Sequence, residues 1–145
     1  RLQIGEILKT ISNMSEVKII VREYNLKERF DSIGRRLNNF THGNGKKFYN
    51  YRLWEGNKEI YTKHLQDICS DLKYITIVFL VLLILCAPNY VTSSDYVDYL
   101  DFGLNPCDGS QYWVAPFVEK FIRDNIDLID ENFYAWLKEN TCMEI

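Results

Sequence analysis

Two arginines, two asparagines and a histidine lie within eight residues of the sequence and have the side chains needed to act on a phosphodiester. Arg35 and Arg36 are followed by Asn38, Asn39 and His42. A histidine can serve as general acid or base, and arginines stabilise negative charge on phosphate oxygens. These residue types therefore predict a phosphodiester-cleaving site that needs no metal ion.

A helix has to place these side chains. Apolar Ile33, Leu37 and Phe40 recur at helical spacing and then stop, and a Gly-Asn-Gly sequence follows the histidine. The pattern predicts that His42 lies at the end of a helix, with the arginines about two turns upstream on the same element.

This stretch resembles the HEPN superfamily of all-α bacterial and archaeal proteins. The signature of that superfamily is an Arg, four to six residues and then a His, near the end of a bundle helix. Five residues separate Arg36 from His42, and six separate Arg35 from His42, so both arginines fit. The amino-acid sequence from Leu37 to Gly45 is also similar to that of several HEPN-like families.

The resemblance implies a metal-independent ribonuclease or RNA-binding domain of a defence or toxin–antitoxin system. It implies a homodimer whose paired motifs share one cleft, and it allows a cognate protein partner. His42 is then the general base or acid at the ribose 2′-hydroxyl. Arg36, helped by Arg35, stabilises charge on the scissile phosphate, and Asn38 or Asn39 orients one of these side chains.

One position differs from the superfamily pattern and keeps a second interpretation open. Active members usually carry Asn, Asp or His directly after the Arg, whereas Leu37 follows Arg36 here. The alternative is a non-catalytic dimeric interaction module or small-molecule-binding module. Arginines that converge in an open cleft favour the ribonuclease, and arginines held in salt bridges with the acidic half of the chain favour the alternative.

Charge is unevenly distributed along the 145 residues, whose net charge is −3. Residues 1–88 carry 14 Lys and Arg against 9 Asp and Glu, whereas residues 89–145 carry 3 against 11. The acidic half argues against a protein that coats nucleic acid without sequence preference, but it permits a local basic site. The +5 and −8 halves also complement each other, within one molecule or between two copies, and we predict a homodimer.

The apolar run from Tyr74 to Ala87 is 14 residues long, whereas a helix that crosses a bilayer needs about 20. We therefore predict a helix buried on all sides at the centre of the protein and no membrane association. Cys69 and Cys86 fall within helical apolar patterns and are interpreted as small core residues. The cysteines predict a reduced protein with a cytoplasmic location. No cysteine spacing suits zinc, and neither a metal nor a cofactor is predicted.

The rest of the chain predicts an all-α helical bundle, with two or more long helices and shorter C-terminal helices, in a single domain over residues 1–145. The first stripe of apolar residues predicts either one long helix or two helices with a break near residues 12–15 or near Asn25, and residues 42–57 form the main loop. A long helix runs from Asn57 to Cys86. Because the chain starts with Arg1, we expect a native segment to precede it.

Three shorter helices are predicted after the proline that follows the long helix. A capping box beginning at Thr92 opens a helix from Asp95 to Phe102, which Gly103 closes. Ser110 caps a helix with Trp113, Val114, Phe117, Phe121 and Ile122 on its apolar face. Asp130 caps a last helix that buries Phe133, Trp136 and Leu137.

Overall fold

The computed structural model describes residues 9–41 and 58–145, and this part of the chain is all-α, as predicted. The α-helices are α1 (Ser15–Glu23), α2 (Leu26–Thr41), α3 (Lys58–Cys86), α4 (Ser94–Asp101), α5 (Pro116–Asn125) and α6 (Phe133–Asn140). Short 3-10 turns follow α3, precede α5 and follow α5, at Pro88–Tyr90, Ser110–Tyr112 and Ile126–Leu128.

The first apolar stripe is broken at both of the positions that the sequence left open. Residues 9–11 are helical, and a turn at residues 12–14 separates them from α1. Asn25 then separates α1 from α2 with a φ of 48°, in the left-handed region that asparagine tolerates better than most residues.

The chain divides into two compact units, one from Ile19 to Ile75 and one that combines Arg1–Lys18 with Thr76–Ile145. We call them the α2 unit and the C-terminal unit. In the α2 unit, Leu26 and Ile33 of α2 and Tyr74 of α3 are buried. The rings of Phe30 and Tyr74 lie 5.9 Å apart, and the Arg29 guanidinium stacks 4.0 Å from the centroid of the Tyr74 ring. The single domain over the whole chain stays a prediction.

The C-terminal unit buries apolar side chains from four helices and from the segments between and after them. These are Val17 of α1, Ile77, Val78, Val81 and Ile84 of α3, Val118 and Ile122 of α5, Phe133 and Leu137 of α6, and Val91, Val114, Ile126, Met143 and Ile145. The burial of Phe133 and Leu137 confirms two of the three inward residues predicted for α6; Trp136 is half-buried and stacks on Phe133 at 5.5 Å.

Residues that were predicted to begin a helix are extended instead. Trp113 and Val114 form isolated bridges with Glu144 and Thr92, and the Ser93 N–H donates to the Trp113 carbonyl at 2.7 Å. The helix therefore starts at Pro116, as its first helical residue, and not at Ser110. Its buried face is Val118 and Ile122, while Phe117 is 77% exposed.

Helix α3 is not buried on all sides, contrary to the prediction. The face with Tyr74, Ile77 and Val81 is buried, but Leu72 and Phe79 are 59% and 58% exposed. Cys69 and Cys86 are also exposed and do not fill the core. By length and composition alone, Thr62–Cys86 could cross a membrane. A stretch of 18 residues within it has a mean hydropathy of 2.2, and 28% of that stretch is buried.

Helix α4 begins and ends with recognisable caps. Ser93, not Thr92, is the N-cap, and its hydroxyl accepts from the Asp95 N–H at 3.5 Å. At the other end, Gly103 adopts a φ of 67°. The N–H groups of Gly103 and Leu104 donate to the carbonyls of Leu100 and Tyr99, at 3.0 and 2.8 Å, which is the Schellman arrangement.

Candidate functional site

Helix α2 carries the two arginines of the predicted site and is basic overall. Its 16 residues include four Lys and Arg against two Asp and Glu. Arg35 and Arg36 are both exposed, about one and a half turns before the helix ends at Thr41. The two arginines therefore lie upstream of the last turn of α2, which contains no basic residue.

Arg36 is held by Asp71 of α3 in a two-point ion pair. Its Nε donates to Asp71 Oδ2 at 3.2 Å, and its Nη2 donates to Asp71 Oδ1. The hydrogen bond to Asp71 raises the pKa of Arg36 above its ordinary value, although partial burial opposes this. The guanidinium side chain is 52% exposed and that of Asp71 is 19% exposed, so solvent reaches one side of the pair.

This pair leaves part of the Arg36 guanidinium available to a ligand. A guanidinium has five N–H donors, and within the described part of the chain Asp71 accepts from two of them. The remaining donors can bind a phosphate oxygen while Asp71 fixes the plane of the group. Arg36 and Asp71 both belong to the basic half of the sequence. The pair is therefore neither a set of arginines that converge in an open cleft nor a salt bridge to the acidic half, which are the two arrangements that would distinguish the functions.

Arg35 and Asn38 lie on a neighbouring face of α2, because residues three apart in a helix are adjacent on its surface. Both side chains are exposed. His42 and the side chain of Asn39 lie outside the described residues, so the structure brings together Arg35, Arg36 and Asn38.

Asp71 is the site residue that sequence reasoning missed. It lies one turn before Tyr74 and two turns before Val78, and both of these side chains are buried. An acid on the buried stripe of a helix requires a cation nearby, since an unpaired charge is costly to bury. That position on the stripe was the available signal.

Other features of the described residues contribute little to a site. A shallow pocket of about 480 Å³ is lined by Lys58, Glu59, Thr62, Lys63 and Gln66. All five residues are exposed and belong to one helix, so the pocket does not enclose a ligand. Over residues 9–41 and 58–145, no group of three or more His, Cys, Asp or Glu is arranged to hold a metal ion.

Comparison with known proteins found no matching family model, no matching curated protein and no matching solved structure.

Proposed function

We propose that the chain is a HEPN-like domain that binds RNA and cleaves it without a metal ion. The observation that carries the proposal is the Arg36–Asp71 ion pair, which fixes an exposed guanidinium beside Arg35 shortly before the end of α2. The sequence supplies a histidine directly after that helix end. The all-α architecture is compatible with the superfamily.

The chemistry follows from the side chains. His42 removes the proton of the ribose 2′-hydroxyl, and the oxygen attacks the adjacent phosphorus. The bond to the 5′-oxygen breaks, which leaves a 2′,3′-cyclic phosphate on one fragment, and the leaving oxygen takes up a proton. Arg36 and Arg35 stabilise the charge that develops on the phosphate oxygens, and Asn38 or Asn39 orients one of these groups.

The assembly and biological setting belong to the same proposal. We propose a cytoplasmic homodimer of a defence or toxin–antitoxin system, with a cognate protein partner that controls its activity. The +5 and −8 halves of the sequence support pairing between copies.

The direct test is incubation of the protein with total RNA in EDTA, read on a denaturing gel. We expect cleavage to persist in EDTA and to fall by about 10²- to 10⁴-fold in His42→Ala. The chain has one other histidine, half-buried His64 of α3, so His64→Ala is the matched control and should retain activity. Intact RNA, or cleavage that survives His42→Ala, contradicts the catalytic proposal.

The roles of Arg36 and Asp71 can be distinguished in the same assay. Arg36→Ala should lower the rate by about 10²- to 10³-fold, as expected for the loss of a charge-stabilising donor. Asp71→Asn should lower the rate less and leave its pH dependence unchanged, because Asp71 positions Arg36 and does not touch the substrate. A pH profile shifted by Asp71→Asn contradicts this positioning role.

A non-catalytic interaction module is the second candidate, and the C-terminal unit favours it. Phe102, Phe117 and Tyr90 are 80%, 77% and 76% exposed, which is unusual for large aromatic side chains. Intact RNA in the EDTA assay, together with no detectable RNA binding, would support this function over the ribonuclease.

A further inference from the structure

Helix α4 and the residues that follow it lie outside the core of the C-terminal unit. No residue from 94 to 109 is buried, whereas Ser93 and Ser110 on either side are buried. Both ends are held by the rest of the unit: the Ser93 N–H donates to the Trp113 carbonyl, and α4 contacts the 3-10 turn that begins at Ser110. The unit therefore presents a whole helix to its surroundings.

This helix is amphipathic, although its apolar side is not used by the unit itself. Because 3.6 residues make one turn, its apolar side chains lie on one side and its carboxylates on the opposite side. We call the exposed residues here the α4 surface. Its large apolar side chains are between 40% and 80% exposed: Val97, Tyr99, Leu100, Phe102 and Leu104. Its carboxylates are those of Asp95, Asp98 and Asp101.

The helix is already formed before any partner binds. The hydroxyl of Ser93 caps its first turn, and the left-handed backbone of Gly103 closes its last turn. A preformed helix loses little conformational entropy on binding. Exposed amphipathic helices are commonly recognised by a groove that receives their apolar side chains.

We propose that the α4 surface binds a partner protein through a cleft that is apolar at its floor and carries Lys or Arg at its rim. The inference rests on the second of the two proposed functions, the interaction module, for which it names the surface and the chemistry of the partner. It does not depend on RNA cleavage.

The sign of the charge selects this partner. Four Asp and no Glu lie between positions 95 and 108, and no Lys or Arg occurs between Lys73 and Lys120. A cationic rim is attracted to this surface, because complementary charges steer association and fix the orientation of a complex. RNA and anionic lipid carry the same sign as the α4 surface and are repelled by it.

The α4 surface of a second copy and a neutral bilayer are competing occupants, and charge disfavours both. A two-fold contact would bring the same patch together twice, so the Asp side chains of the two copies would repel each other. Helices that lie on a bilayer usually carry Lys and Arg on the polar side, whereas α4 carries Asp.

The experiment measures binding of short synthetic amphipathic helices by fluorescence anisotropy at pH 7.5. A peptide of Leu and Lys provides an apolar stripe with a cationic border and is the probe. The wild-type chain should bind it at least about tenfold more tightly than a peptide of Leu and Glu. A peptide of Ser and Lys, which keeps the charge without the apolar stripe, should also bind at least about tenfold more weakly.

Single substitutions then locate the contact. Leu100→Ser and Phe102→Ser should each weaken binding of the Leu/Lys peptide by at least about tenfold, because each removes a large apolar side chain. Neither residue is buried, so both variants should fold, which circular dichroism checks. Phe117→Ser is the matched control: Phe117 is nearly as exposed as Phe102 but lies on α5, and this variant should bind as the wild type does.

A charge reversal tests the cationic rim. Asp98→Lys/Asp101→Lys should reverse the preference, so that the Leu/Glu peptide binds more tightly than the Leu/Lys peptide. Equal binding of the two peptides by the wild type, an unchanged preference in the double variant, or equal losses in Leu100→Ser and Phe117→Ser overturn the proposal.

Two further outcomes overturn it and identify another occupant. A dimer at pH 7.5 that Leu100→Ser dissociates identifies a second copy. Flotation with phosphatidylcholine vesicles that Leu100→Ser abolishes identifies a bilayer. Any RNA cleavage by the wild type should be unchanged in Leu100→Ser, so failure of the ribonuclease proposal and failure of this one are distinguishable.

Discussion

The carboxylate of Asp71 orients the guanidinium of Arg36, and the contribution of this ion pair to the free energy of unfolding is measurable. Because the Arg36 side chain is 52% exposed, water screens the ion pair and the expected contribution is small. We predict that Asp71→Asn lowers the free energy of unfolding by about 0.5–1 kcal/mol in urea titration. A matched change at exposed Asp67, Asp67→Asn, should cost less; equal losses contradict a specific role for the pair.

Tyr74 is buried, and its hydroxyl has no hydrogen-bond partner within the described residues. Burial raises the pKa of the phenol above its ordinary value, although the charge of Arg29 partly lowers it. We predict that Tyr74→Phe raises the free energy of unfolding by up to about 1 kcal/mol, because it removes a polar group from an apolar site. Thermal unfolding checks this, and a destabilised variant shows that the hydroxyl has a partner.

At the scale of single elements, the end of α4 depends on the left-handed backbone of Gly103. No atom lies within 4 Å of a Cβ added there, so the backbone conformation alone opposes a side chain. We predict that Gly103→Ala lowers the free energy of unfolding by about 1 kcal/mol.

Gly34 of α2 is the control for that prediction. It also has open space at its Cβ position, but it lies inside a helix with an ordinary φ. Gly34→Ala should therefore raise the free energy of unfolding, by up to about 1 kcal/mol. Two variants of the same sign contradict the backbone argument.

Helix α5 carries two exposed ion pairs, each between residues four apart. One of them lowers a carboxyl pKa, which titration can measure. Lys120 donates to Asp124 at 2.5 Å, and this hydrogen bond, with added charge from Lys120 and Arg123, holds the pKa of Asp124 below its ordinary value. The stabilisation is present above the ordinary carboxyl range and is lost as pH falls through the lowered pKa. NMR titration should show the shift, and Lys120→Met should return the pKa toward normal.

At the scale of the whole molecule, charge and exposed apolar surface act together. The sequence has an isoelectric point near 5.4, and large side chains such as Phe102 and Phe117 are exposed. We predict that self-association is fastest near pH 5.4, where net repulsion vanishes, and slower at pH 7.5. Light scattering at both pH values checks this, and Phe102→Ser should reduce the association.

The helices and their approximate bounds could be predicted because helical spacing of apolar residues and turn residues act locally. The side chains that each helix buries could not be predicted in the same way. Trp113 and Val114 fit a helical face in the sequence, yet bonds to Thr92 and Glu144 hold them extended. In α3 nearly every residue after Tyr74 is apolar, so sequence alone did not separate the buried stripe from the exposed one. Asp71 was likewise visible only as a charge beside the apolar run.

The bridges at Trp113 and Val114 also affect the time course of folding. They join backbone segments about 20 and about 30 residues apart in the chain, whereas helix hydrogen bonds join residues four apart. Closing such loops costs entropy before the contacts form, so non-local pairing is slower than helix formation. In the C-terminal unit, helical signal should therefore appear first after dilution from denaturant, and the change in Trp113 fluorescence should follow it.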